Sequence, residues 1–154
     1  MVEDMKKGMA SFTGELTTML DQYGKTLGER KGSADLMDAY RSDQRELQFL
    51  KEGRGEHNVK YAFEIGKKIT TSVQEGYKKL KVSQQPSLPG QISKPDGYCI
   101  VCHATYRPEG TIRVRALNNA AFDHTLHVET GTECVKCHDP AQHRLGAGLM
   151  TSAC

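Results

Sequence analysis

Two short stretches hold residues whose types and spacing can do chemistry: Cys99-Ile100-Val101-Cys102-His103 and Cys134-Val135-Lys136-Cys137-His138. A Cys-x-x-Cys-His run is the attachment signature of c-type haem. The spacing has a chemical reason. Two thiols three positions apart add across the two vinyl groups of one porphyrin, and the adjacent imidazole reaches the iron as proximal ligand. The motifs therefore imply two covalently attached haem c groups, with Cys99, Cys102, Cys134 and Cys137 as tethers and His103 and His138 as iron ligands.

Two other chemistries use paired cysteines. A four-cysteine zinc site could be built from two Cys-x-x-Cys pairs at this separation. It does not explain a histidine after each pair, nor the four further histidines in the chain. A thioredoxin-like dithiol would sit in a βαβ pattern, and no such pattern is present. The fifth cysteine, Cys154, is assigned no role.

A haem iron has six positions, of which the porphyrin takes four and the motif histidine a fifth. The sixth decides function: a protein ligand gives an electron carrier, and an open position gives an enzyme or a gas sensor. His57, His124, His127 and His143, with Met150, are the candidates. Four histidines for two vacancies supply bis-imidazole ligation of both irons. Met150 would give a His/Met haem of higher potential. His143 reads more simply as a surface residue.

Two resemblances bear on this choice. Phe122-Asp123-His124-Thr125-Leu126-His127, shortly before Cys134, resembles the Phe-x-His-x-x-His stretch of the small class III multihaem cytochromes c. That resemblance covers roughly the last sixty residues. It implies that His127 caps the haem of Cys134, Cys137 and His138, and that His124 caps the neighbouring haem of Cys99, Cys102 and His103. Gly53-Arg54-Gly55-Glu56-His57-Asn58-Val59-Lys60-Tyr61-Ala62 is similar to a Gly-x-His-Asn-x-x-Tyr-Ala stretch. That stretch opens a long helix in multihaem cytochromes related to ammonia-forming nitrite reductases and hydroxylamine oxidoreductases. There the histidine is a distal haem ligand, which places His57 in competition with His124. Only two attachment motifs are present and neither is the lysine variant, so a reductase-type catalytic haem is not implied.

The elements that must position these groups divide the chain into three stretches. Residues 1–81 read as helix. Met5, Met9, Phe12, Leu16, Met19, Leu20, Tyr23 and Leu27 recur in steps of three and four, which makes one stripe on an α-helix. Gly28 and Gly32 end it, and Ser33 is the expected N-cap of a second helix carrying Leu36, Met37, Tyr40, Leu47 and Leu50. A third helix starts near His57-Asn58 and carries Tyr61, Ala62, Ile65, Ile69, Val73 and Leu80. An antiparallel bundle or long hairpin follows. Residues 82–97 hold three prolines and two glycines and read as a linker. Residues 98–154 form the small, loop-rich dihaem domain, with one short strand expected over Thr111–Arg115. The expected fold class is mainly α.

Composition fits this division. Of 154 residues, 37% are hydrophobic and 6% aromatic, with no tryptophan. That is thin for a self-sufficient core, and two apolar porphyrins offset the deficit. A formal charge of +2 is too small to argue for a nucleic-acid partner. No apolar run is long enough to span a membrane. Met1 is followed by charged, helical sequence rather than by a signal peptide. Covalent haem attachment takes place outside the cytoplasm. The expectation is an exported, periplasmic or extracellular chain in mature or trimmed form, or one piece of a longer protein.

The sequence thus predicts a dihaem cytochrome relaying single electrons through two low-potential bis-His haems, with no catalytic residues. Its partners would be other cytochromes or a reductase or oxidase. The helical part would dock to another subunit or to the rest of a longer multihaem assembly. A haem enzyme with one open iron, such as a small-molecule reductase, is the alternative. A redox or gas sensor signalling through His57 and the third helix is another.

Overall fold

In the computed structural model the described residues are 2–53, 58–93, 97, 99, 101, 111–114, 120–123, 126, 130–136 and 138. They are mainly helical and divide into two compact units, Met1–Ala104 and Thr105–Cys154.

The first unit is built on α1 (Val2–Glu29), α2 (Ala34–Glu52) and α3 (Val59–Lys79), each packed against the other two. The apolar stripe of α1 is buried from Met9 to Leu27, with Phe12 and Leu16 at 0% exposure. Removing that stripe from water, at about 25 cal/mol per Å² of apolar surface, is the main term holding the unit together. Leu36, Leu47 and Leu50 of α2 join it, as do Ala62, Phe63, Ile65, Ile69, Val73 and Tyr77 of α3. The rings of Phe12 and Phe63 stack with centroids 5.9 Å apart, joining α1 to α3.

Local chemistry sets the helix ends. Lys31 takes a positive φ of 51°, and the Gly32 N–H donates to Leu27 O at 2.9 Å, closing α1. Ser33 stands at the N-cap of α2 in extended conformation, without a side-chain cap bond. Asn58 caps α3 through its side chain, which accepts from the Tyr61 N–H at 3.1 Å. At the other end Lys81 has φ 55°, and the Val82 N–H donates to Tyr77 O at 3.1 Å.

Residues 82–93 contain no helix or strand, as their prolines and glycines demand, yet they pack along the bundle. Leu88 and Ile92 lie against the core and Pro89 is fully buried. Glu15 of α1 accepts hydrogen bonds from the Gly90 N–H at 2.9 Å and from Gln91 Nε2 at 3.4 Å. Val101, inside the first motif, is a 0% exposed member of the same core. The first compact unit runs to Ala104.

In the second unit β1 (Thr111–Val114) pairs antiparallel with β2 (Ala120–Asp123), with Thr111 opposite Asp123 and Val114 opposite Ala120. Cys134–Lys136 form a 3-10 turn. Among the described residues, no helix is long and apolar enough to cross a membrane.

Candidate functional site

Both attachment motifs begin on helical backbone. In the first, Gly97, Cys99 and Val101 are helical, Cys99 is half-buried and Val101 is buried. Gly97 sits against the backbone of Gln91 and the ring of Phe63. A Cβ there would overlap the Gln91 carbonyl and lie 3.0 Å from Phe63 Cζ. The chain therefore enters the motif pinned between 82–93 and α3, which requires a residue without a side chain at 97. Cys102 and His103 lie outside the described residues.

The second motif is a closed turn. The Lys136 N–H donates to Glu133 O at 3.1 Å, and the His138 N–H donates to Cys134 O at 2.9 Å. Cys134, Lys136 and His138 are exposed. A helical turn puts side chains three and four positions apart on one side. Cys134 and His138, the described ends of this turn, are four positions apart in it. The donor set of thiols and imidazole fits covalent haem. Cys137 lies outside the described residues.

The distal candidates His57, His124, His127 and His143, with Met150, also lie outside them, as does Cys154. Their described neighbours are informative. Asn58, which caps α3, directly follows His57 in the sequence. β2 ends at Asp123, immediately before His124. Leu126, between His124 and His127, is exposed, and its carbonyl accepts from the Thr130 N–H at 3.0 Å. The turn that follows needs a glycine, because Gly131 has φ 78°. Among the described residues, no group of three or more His, Cys, Asp or Glu is assembled.

One polar feature carries no signal in the sequence. Asp43 of α2 is only 3% exposed, and its Oδ2 accepts from Ser72 Oγ of α3 at 2.6 Å. Burial pushes its carboxyl up to about 6, against the opposing hydrogen bond from Ser72, with Glu46 raising it further and Lys68 lowering it. The neighbouring Tyr23 phenol is raised by its own burial, then by Asp43 and Tyr77. Beside Asp43, Lys68 of α3 pairs with Glu46 of α2, and that pair borders an open groove of about 600 Å³ lined also by Arg45, Phe49, Tyr61 and Ile65. A single acid on a helix reads as a solvated residue, so only a tertiary structure reveals this contact.

No protein-family model, curated protein or solved structure matches the chain.

Proposed function

We propose that this protein is a dihaem c-type cytochrome that relays single electrons. The observation that carries the reading is the duplicated Cys-x-x-Cys-His motif. The backbone turn closed from the His138 N–H to Cys134 O, with both residues exposed, is compatible with it. Cys99 with Cys102, and Cys134 with Cys137, would each hold one haem by thioethers, with His103 and His138 as proximal ligands. His127 would cap the second iron, and His124 or His57 the first.

When bound, the haems supply one-electron chemistry at iron. The chain's own residues fix the geometry. Imidazoles on both faces favour ferric iron more than a His/Met pair does, so both potentials are low. They also close the irons to small ligands, which separates a carrier from an enzyme. Val101 in the core and Gly97 against Gln91 hold the first motif to the helical bundle. Docking to redox partners in the periplasm or outside the cell would be weak and transient, over a small surface.

The test is a pyridine haemochrome assay on chain exported by a host able to attach haem, with an electron-resonance spectrum of the same sample. Two haems per chain, both low-spin, are expected. Replacing Cys134 and Cys137 by alanine leaves one haem, as does replacing Cys99 and Cys102. Tetrahedral zinc bound in place of haem overturns the proposal. A high-spin haem open to carbon monoxide moves the reading to an enzyme or sensor.

A further inference from the structure

Among the described residues of the helical bundle, Asp43 is the one buried acid, and nothing in the electron-transfer reading uses it. Asp43 lies at the meeting of α2 and α3, is 3% exposed, and receives one hydrogen bond, from Ser72 Oγ at 2.6 Å. A carboxylate in such a place is costly unless a cation or several donors compensate it.

The groups around it do not compensate. From α1 comes the buried phenol of Tyr23, whose ring contacts Tyr40 at 5.9 Å and Tyr77 at 5.5 Å between centroids. From α2 comes Glu46, a second negative charge, whose Oε2 is buried with no hydrogen bond among the described residues. From α3 comes Lys68, but its ammonium is paired with Glu46 Oε1 and its side chain is 66% exposed. Asp43 therefore faces one acid, one phenol and one engaged cation. Among the described residues, the hydroxyl of Ser72 is its single hydrogen-bond donor.

We propose that Asp43 and Ser72 form a proton-controlled clasp between α2 and α3, closed when the carboxyl is neutral and weakened when it ionises. A neutral carboxyl costs far less to bury than a carboxylate, and that difference outweighs the stronger bond Ser72 gives the ionised form. Ionisation places an uncompensated charge where the two helices touch. The folded group holds its proton more tightly than an exposed aspartate does, with its titration pushed up to about 6 from 3.8. The sign follows. The clasp is weakest above the folded value, strengthens as pH falls through it, and reaches full strength below the ordinary carboxylate value. These residues lie wholly within the helices, so the clasp stands or falls separately from haem attachment.

Hydrogen exchange of the full chain, corrected for intrinsic rates, tests it. Between about pH 5 and about pH 7.5, linkage across the two titration values weakens the closed state by about tenfold. Protection of α2 and α3 amides should fall by that factor in the wild type. It should stay level in Asp43→Asn, whose amide keeps an acceptor for Ser72 without titrating. Equal protection at both pH values in the wild type overturns the clasp, as does an undiminished tenfold change in Asp43→Asn. A carboxyl-carbon NMR titration of the wild type provides a check that needs no variant. A midpoint near that of a buried acid supports the clasp, and one in the ordinary aspartate range overturns it.

Discussion

Gly66 of α3 packs closely against α1, and it gives a quantitative test of the bundle. A Cβ added at Gly66 would overlap Phe12 Cζ and lie 3.0 Å from Phe12 Cε1 and 3.3 Å from Leu16 Cδ1. Phe12 is fully buried and stacked on Phe63, so its ring has little room to yield. Gly66→Ala gains about 1 kcal/mol of helix propensity and loses roughly 1–3 kcal/mol to overpacking. The net expectation is no gain, or destabilisation by up to about 2 kcal/mol. Phe12→Ala alone costs about 3–5 kcal/mol, because a ring-sized cavity opens in the core. In that background the added methyl at 66 meets the cavity left by the ring, with the flexible Leu16 Cδ1 still close at 3.3 Å. It then gains its propensity and about 0.8 kcal/mol from burying one carbon. Gly66→Ala should therefore turn stabilising, and the double-mutant cycle should show coupling of roughly 2–4 kcal/mol, well above the few tenths of ordinary non-additivity. Urea unfolding followed by helical circular dichroism measures all four corners. If Gly66→Ala has the same effect with and without the Phe12 ring, α1 and α3 do not meet as described.

Further outcomes follow from the other contacts. Asn58→Ala should cost about 1 kcal/mol by removing the cap bond to the Tyr61 N–H, while Asn58→Asp should retain it; thermal unfolding decides. Gly97→Ala forces a methyl into the Gln91 carbonyl. It should destabilise the helical unit by roughly 1–3 kcal/mol and lower haem incorporation at Cys99 and Cys102 while sparing Cys134 and Cys137, as read by haem-stained peptide mapping. Asp43→Asn should raise stability near neutral pH by up to about 3 kcal/mol and lose that advantage below about pH 4, because the raised carboxyl penalises the folded state only where it is ionised. His138→Ala should leave both haems covalently bound, since the thioethers remain, and convert one from low-spin to high-spin.

Much of the helical unit is legible in the sequence for a simple reason. A residue's burial on an α-helix is set by a period of 3.6, and Met9, Phe12, Leu16, Met19, Leu20, Tyr23 and Leu27 obey it and are all buried. Phe63 escapes that reading because it stands beside the stripe of α3 rather than on it, and its burial comes from contacts such as the Phe12 ring and Gly97. The strand near Thr111 was visible, but its partner Ala120–Asp123 was not, since Ala-Ala-Phe-Asp lacks the alternation of a half-buried strand. The prolines and glycines of 82–93 announce irregular backbone. Their anchoring to Glu15 depends on a residue some 75 positions earlier, which no local composition can encode. The two Cys-x-x-Cys-His motifs are explicit because the covalent attachment proposed for them demands adjacent residues. A distal ligand arrives through space, so spacing alone leaves His57 and His124 in competition.

An intact mass spectrum of the exported polypeptide addresses the central claim most directly. The proposal requires the polypeptide mass plus two haem groups, falling by one haem when either cysteine pair is replaced by alanine. A spectrum equal to the bare polypeptide, from a host that loads other c-type cytochromes in the same culture, would contradict it.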